Sequence, residues 1–173
     1  MNSPQEVKMV RTKCLDVERS RKLSKSIRAK NGHCYLNAYS VMQRLTKDEQ
    51  TRAKYVEGWV PGLIGFFAHA WVELDGVVID ATPIAFERHK LDPEQDVQRH
   101  IYRGVLYFSI DELMRTTIPA FLHSLNPRHR ETMMKRLSRL VKEFGLLTYC
   151  DAAEEGFGFK MIPGTEHMWK SNN

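Results

Sequence analysis

Apolar positions along this chain recur with two different periods, and each change of period marks an element. From Cys34 they fall at Cys34, Tyr35, Ala38, Val41, Met42 and Leu45, the spacing of a helix with one buried stripe. Asn31-Gly32 supplies the turn before it. Phe66–Leu74 and Val77–Thr82 are β-branched or aromatic runs on either side of Asp75-Gly76, a pair favoured in two-residue type I′ hairpin turns. Strands are also predicted over Tyr55–Val60 and Ile101–Phe108, with Pro61-Gly62-Leu63-Ile64-Gly65 as a flexible link into the hairpin. Ser109-Ile110-Asp111-Glu112 reads as a capping box, opening a helix that Pro119 interrupts. Asn126-Pro127 opens another, with the stripe Met133, Met134, Leu137, Leu140, Val141 and Phe144 before Gly145. Leu146–Cys150 and Phe157–Ile162 read as closing strands around an acidic turn, followed by a loosely held tail from Pro163.

The hairpin fixes a register. With a two-residue turn, Leu74 faces Val77, Trp71 faces Asp80 and His69 faces Thr82. Alternate residues of a strand share a face, so His69, Trp71 and Asp80 project from the same side. His69 and Asp80 become diagonal cross-strand neighbours, within reach of a carboxylate-to-imidazole hydrogen bond. A three-residue turn would put Asp80 on the opposite face.

This arrangement gives candidate chemistry. A thiol in the first turn of a helix sits at the positive end of the macrodipole beside unpaired N–H groups, which favours the thiolate. Cys34, His69 and Asp80 therefore supply a nucleophile, a base and an orienter. Each residue alone has a plainer reading: a small core cysteine, a half-buried strand histidine, a strand-end carboxylate. Their order and the shared face of two of them favour the catalytic reading. The Cys34 backbone N–H is the first candidate donor to an oxyanion, with Asn31, and after it Asn37, as a second; both asparagines also suit turns or caps. Tyr55, Glu57 and Trp59 alternate on one face. Glu57 is a reserve orienter or substrate contact, or else an edge-strand charge, and Trp59 and Trp71 are substrate-contacting candidates. His33, Cys34, His69 and Asp80 include zinc-ligand types, but neighbouring residues at a helix start point apart, so the reading assigns no metal and no cofactor.

The block Gly32-His33-Cys34-Tyr35-Leu36-Asn37-Ala38, the strand Tyr55-Val56-Glu57-Gly58-Trp59, then Ala68-His69-Ala70-Trp71-Val72-Glu73 and Val78-Ile79-Asp80-Ala81-Thr82-Pro83, resembles the core of the transglutaminase-like branch of papain-fold cysteine enzymes. The likeness covers about residues 31–83. It implies an α+β fold in which a nucleophile helix packs on an antiparallel sheet, with Cys34 as nucleophile, His69 as general base then acid, and Asp80 as orienter. It also implies a peptide or protein amide substrate, and leaves peptidase, deamidase, amidase and acyl transfer open. The compact spacing from Cys34 to His69 and Asp80 leaves little room for the insertions of larger members.

Composition narrows the setting. With 173 residues and 42% hydrophobic content, the chain is long enough to bury a core and is expected to form a single domain over 1–173: a basic segment over about 1–30, a core over about 31–110, and a C-terminal helical and strand scaffold over about 109–163. No apolar run is long enough to span a bilayer, and the start lacks the apolar core of a secretory signal. Cys14, Cys34 and Cys150 form no disulfide framework, and Cys14 and Cys150 read as small, buried or partly buried residues. Together these lead to the expectation of a cytoplasmic protein with no membrane partner.

The formal net charge is +5. Much of it lies in residues 19–30, which carry six Lys or Arg and no acid, and on the outward face of the later helix at Arg128, Arg130, Lys135, Arg136, Arg139 and Lys142. The first run reads either as a solvated helix face or as a surface that steers acidic substrates. A non-catalytic protein that uses this basic surface to bind nucleic acid or an acidic partner is the competing reading, although no nucleic-acid motif or stacking aromatic accompanies it. Residues 83–99 read as a polar excursion with a short helix, either a substrate lid or a surface loop.

Overall fold

The computed structural model describes residues 14–61, 66–87, 102–115, 127–144, 148–150 and 159–161. Five strand pairings and three hydrophobic clusters arrange the described elements around one strand. That strand is β2, Phe66–Leu74. On one side it pairs antiparallel with β1, Lys54–Pro61, which pairs in turn with β4, Arg103–Phe108. On its other side it pairs antiparallel with β3, Val77–Ile79, through residues 72–74 and parallel with β5, Thr148–Cys150, through residues 66–67. Strand β6, Phe159–Met161, closes antiparallel on β5. Among the described residues, no strand covers positions 68–71 of that second edge.

The hairpin turn is as expected: Asp75 and Gly76 both have positive φ, 50° and 86°, and Leu74 lies opposite Val77. Strand β3 ends at Ile79, so Asp80 leaves the ladder one residue past the last pair. The expected edge position of the Tyr55–Val60 strand is corrected, because β4 pairs on its outer side and makes β1 internal. The sheet is antiparallel as expected, apart from the short parallel β2–β5 pair.

Helix α2, Cys34–Arg44, covers one face of the sheet. Its Cys34, Tyr35, Ala38, Val41 and Met42 pack with Tyr55, Ala70, Val72, Leu74 and Ile79 in one buried cluster. Along the same face, Met133, Leu137 and Leu140 of α6, Pro127–Phe144, pack on Trp59, Phe66, Ala68 and Leu106. The opposite face holds Val56, Trp71 and Val78, with Leu15, Val60 and Tyr102 against them. Covered on both faces, β2 is buried without a break from Ala70 to Leu74, where alternation alone predicts a half-buried strand.

The remaining helices are short and well capped. In α1, Val17–Ile27, the Asp16 side chain accepts from Arg19 N–H. In α3, Lys47–Arg52, Thr46 and Glu49 form a capping box. Helix α4, Pro83–Glu87, follows β3. In α5, Ile110–Arg115, the predicted box of Ser109 and Glu112 is present. Gly58 is required where β1 bulges: a Cβ there would stand 2.1 Å from the Arg103 carbonyl oxygen and 2.8 Å from the Trp71 ring. The Pro119 break, the 62–65 link, the candidate lid beyond residue 87, the acidic turn and the tail lie outside the described residues. No helix among the described residues is long and apolar enough to cross a membrane.

Candidate active site

Cys34 is the first residue of α2, and its side chain is buried. The residue before it, His33, makes no side-chain cap. In α1, α3 and α5, by contrast, a side chain at the helix start accepts from a first-turn amide. His33 is exposed, and its Nδ1 donates to the Asn31 carbonyl oxygen at 3.1 Å.

His69 and Asp80 meet as the hairpin register requires. His69 Nε2 donates to Asp80 Oδ2 at 2.5 Å, with the imidazole 13% exposed and the carboxylate 1%. The Cys34 side chain lies close enough to the same ring to favour its protonated form. The helix lies on one face of the sheet and His69 belongs to the other, beside Trp71. Burial pushes the His69 imidazolium down, but the charges of Asp80 and Cys34 and their hydrogen bonds more than offset it. The ring is held well above its ordinary value. Trp71 stacks on His69 with ring centroids 6.1 Å apart and is fully buried.

Asp80 is fixed on every side. Its Oδ1 accepts from Thr82 N–H at 3.0 Å, and its Oδ2 accepts from Tyr102 Oη–H at 3.0 Å as well as from His69. Its own N–H donates to Ser20 Oγ at 3.1 Å. Tyr102 meets Trp71 edge-on at 5.0 Å. Burial, then the neighbouring Asp80 charge, holds the Tyr102 phenol well above its ordinary range, so it stays a donor.

Asn37, one turn into α2, joins the two halves of the site. Its Nδ2 donates to Lys30 O at 2.8 Å and to Thr82 Oγ1 at 3.3 Å, and its Oδ1 accepts from Lys30 N–H at 3.3 Å. The loop before the thiol and the strand end carrying Asp80 are therefore tied to one amide. Asn31 is a brace: its Oδ1 accepts from Ile84 N–H at 2.8 Å, holding the start of α4. Both asparagines carry structural hydrogen bonds, as caps and turn residues do.

Two further candidates are not part of this cluster. Trp59 is buried on the α6 face, where its Nε1 donates to the Met133 carbonyl oxygen at 3.0 Å. Glu57 is opposite Ala70 and therefore on the face away from His69, so the reserve orienter and edge-charge readings are both corrected. It is fully buried, accepts from Tyr55 Oη–H at 2.9 Å, and its Oε2 has no partner among the described residues. Burial raises its carboxyl to about 8 against the lowering effect of the Tyr55 hydrogen bond. Cys14 is exposed, contrary to expectation, because it is on the outer strand-like segment that reaches Val78. The side chain of Cys150 lies outside the described residues.

Tyr102 and Ser20 were not apparent in the sequence as parts of the site. Ser20 had a signal: with Leu23, Ser24 and Ile27 it forms the inward stripe of α1 at helical spacing, inside a run that stands out for its charge. Tyr102 lies just before β4 and had none. Among the described residues, no three His, Cys, Asp or Glu side chains converge as metal ligands. No protein-family model, curated protein or solved structure matches this chain.

Proposed function

We propose that the chain is a cysteine-dependent hydrolase or transferase of the transglutaminase-like, papain-fold type, acting on an amide or thioester carbonyl of a peptide or protein. The observation that carries this reading is the imidazole of His69, bonded to the Asp80 carboxylate at 2.5 Å, with the Cys34 side chain near enough to favour its protonated form.

In this reading His69 accepts the thiol proton, leaving a thiolate beside an imidazolium that Asp80 orients and stabilises. The thiolate attacks the carbonyl carbon, and the C=O electron pair moves to oxygen. The Cys34 N–H is the first candidate donor to that oxyanion. Collapse returns the pair, breaks the C–N or C–S bond and transfers the His69 proton to the leaving group. The resulting thioester is attacked by water or an amine, deprotonated by the same imidazole, to give hydrolysis, deamidation or transfer.

The test is the iodoacetamide alkylation rate of each cysteine against pH, with exposed Cys14 as the internal reference. Cys34 is expected to react at pH 6–7 about tenfold or more faster in the wild type than in His69→Ala, while Cys14 is unaffected. A Cys34 rate indifferent to His69 overturns the proposal and favours the basic-surface binding protein, which would retain salt-sensitive binding in Cys34→Ala.

A further inference from the structure

We propose that the exposed cations at the end of α1, Lys25, Arg28 and Lys30, form a docking ridge for an acidic segment of the polypeptide on which Cys34 acts. This rests on the reading of Cys34 as a nucleophile. All three residues are exposed, and among the described residues no carboxylate pairs with any of them. Near the other end of α1, Arg19 pairs with Glu49. Lys25 and Arg28 stand three residues apart on one side of the helix.

Arg28 caps α1 in the left-handed region, at φ 53° and ψ 48°, where glycine or asparagine is the residue without strain. A long cation at such a site is an observed departure that points toward use. Lys30 is pinned by both of its backbone hydrogen bonds to Asn37, and His33 N–H donates back to its carbonyl. Cys34 lies four positions after Lys30, which bounds their separation at about 14 Å, and the turn shortens it. A substrate strand advancing about 3.3 Å per residue from the thiol meets the ridge roughly three to five residues from the reacting carbonyl.

An acidic peptide suits the ridge better than a nucleic acid. The thiol requires an amide or thioester carbonyl, and residues 19–30 contain no aromatic side chain on which a base could stack. On its buried side the same helix holds the Asp80 backbone through Ser20, so the ridge is fixed relative to the site.

The test uses two peptides carrying an iodoacetamide group, identical except that one bears three aspartates and the other three asparagines four residues away. The acidic peptide is expected to alkylate Cys34 about five- to tenfold faster at ~20 mM salt, with the preference largely lost at ~0.5 M. In the triple variant Lys25→Ser, Arg28→Asn, Lys30→Ser the preference should vanish while the neutral peptide reacts at the wild-type rate. Asparagine suits the left-handed cap, so the variant retains the turn. Equal rates for the two peptides in the wild type, or a preference that survives in the triple variant, overturn the proposal. An oligothymidylate 20-mer that protects Cys34 from the neutral peptide more potently than an unreactive acidic peptide assigns the ridge to nucleic acid and also overturns it. The neutral peptide's dependence on His69 tests the nucleophile, and the rate ratio tests the ridge, so the two readings fail separately.

Discussion

Glu57→Gln is expected to stabilise this protein at neutral pH, and by an amount that grows as pH rises. Glu57 is fully buried, with one oxygen bonded to Tyr55 and the other without a partner among the described residues. Its carboxyl is raised from 4.5 to about 8. A carboxyl raised on folding contributes stability that is complete below the unfolded value and is lost as pH climbs through the folded one. The window is therefore about 4.5 to about 8. Each unit within it corresponds to about 1.4 kcal/mol, so the wild type forfeits about 3 kcal/mol by pH 7 and about 4 kcal/mol by pH 8. Set against a typical domain stability of about 5–15 kcal/mol, that is a large fraction.

Glutamine keeps the acceptor for Tyr55 and replaces the protonated oxygen with an amide donor, so at pH 4.5 the two proteins are expected to agree within about 1 kcal/mol. Groups shared by both chains cancel in the difference, and Tyr55 is held well above its ordinary range by burial and by Glu57, so it does not titrate in this window. The assay is urea unfolding followed by tryptophan fluorescence at half-unit steps from pH 4.5 to 8. A midpoint difference that widens with pH at constant m is the expected result. Parallel curves over this range, or a variant less stable than wild type at pH 7, refute the reasoning.

Three other substitutions test the structure around the site. Tyr102→Phe removes one of two donors to Asp80 Oδ2 and is expected to lower stability by about 2 kcal/mol in urea unfolding, with a slower Cys34 alkylation at pH 6.5. Arg28→Gly relieves a left-handed residue and should raise stability by about 1 kcal/mol, read as a Tm increase of about 2–4 °C by calorimetry. Gly58→Ala places a methyl 2.1 Å from the Arg103 carbonyl oxygen; a loss of about 3 kcal/mol or more is expected, with altered near-ultraviolet dichroism from Trp71.

The parts of the site that follow from short-range rules were legible in the sequence. Asp75-Gly76 sets a two-residue turn, the turn sets the register, and the register brings His69 to Asp80. The stripe from Cys34 to Leu45 likewise reads as one face of a helix, and the structure buries that face. What was not legible depends on which element arrives from far along the chain. Glu57 reads as an edge charge until β4 pairs outside it, and Trp59 looks free to meet substrate until α6 covers it. Strand periodicity gives the face a residue shares with its neighbours; it does not say which element covers that face.

That distinction also explains where Asp80 stands. It is one residue beyond the last β3 pair, so no ladder bond fixes its backbone. Ser20 takes its N–H from α1, Thr82 and Tyr102 take its oxygens, and Asn37 ties Thr82 to α2. A residue free of the ladder can aim its carboxylate at the imidazole, but only if elements from elsewhere hold it. Three donors, from Thr82, Tyr102 and His69, meet on the buried carboxylate, while Ser20 holds its backbone. A strand-end aspartate kept for local backbone capping would need only the Thr82 bond. The additional donors from Tyr102 and His69, together with the α1 brace, are what the proposed role of Asp80 as orienter requires and what a local cap does not explain.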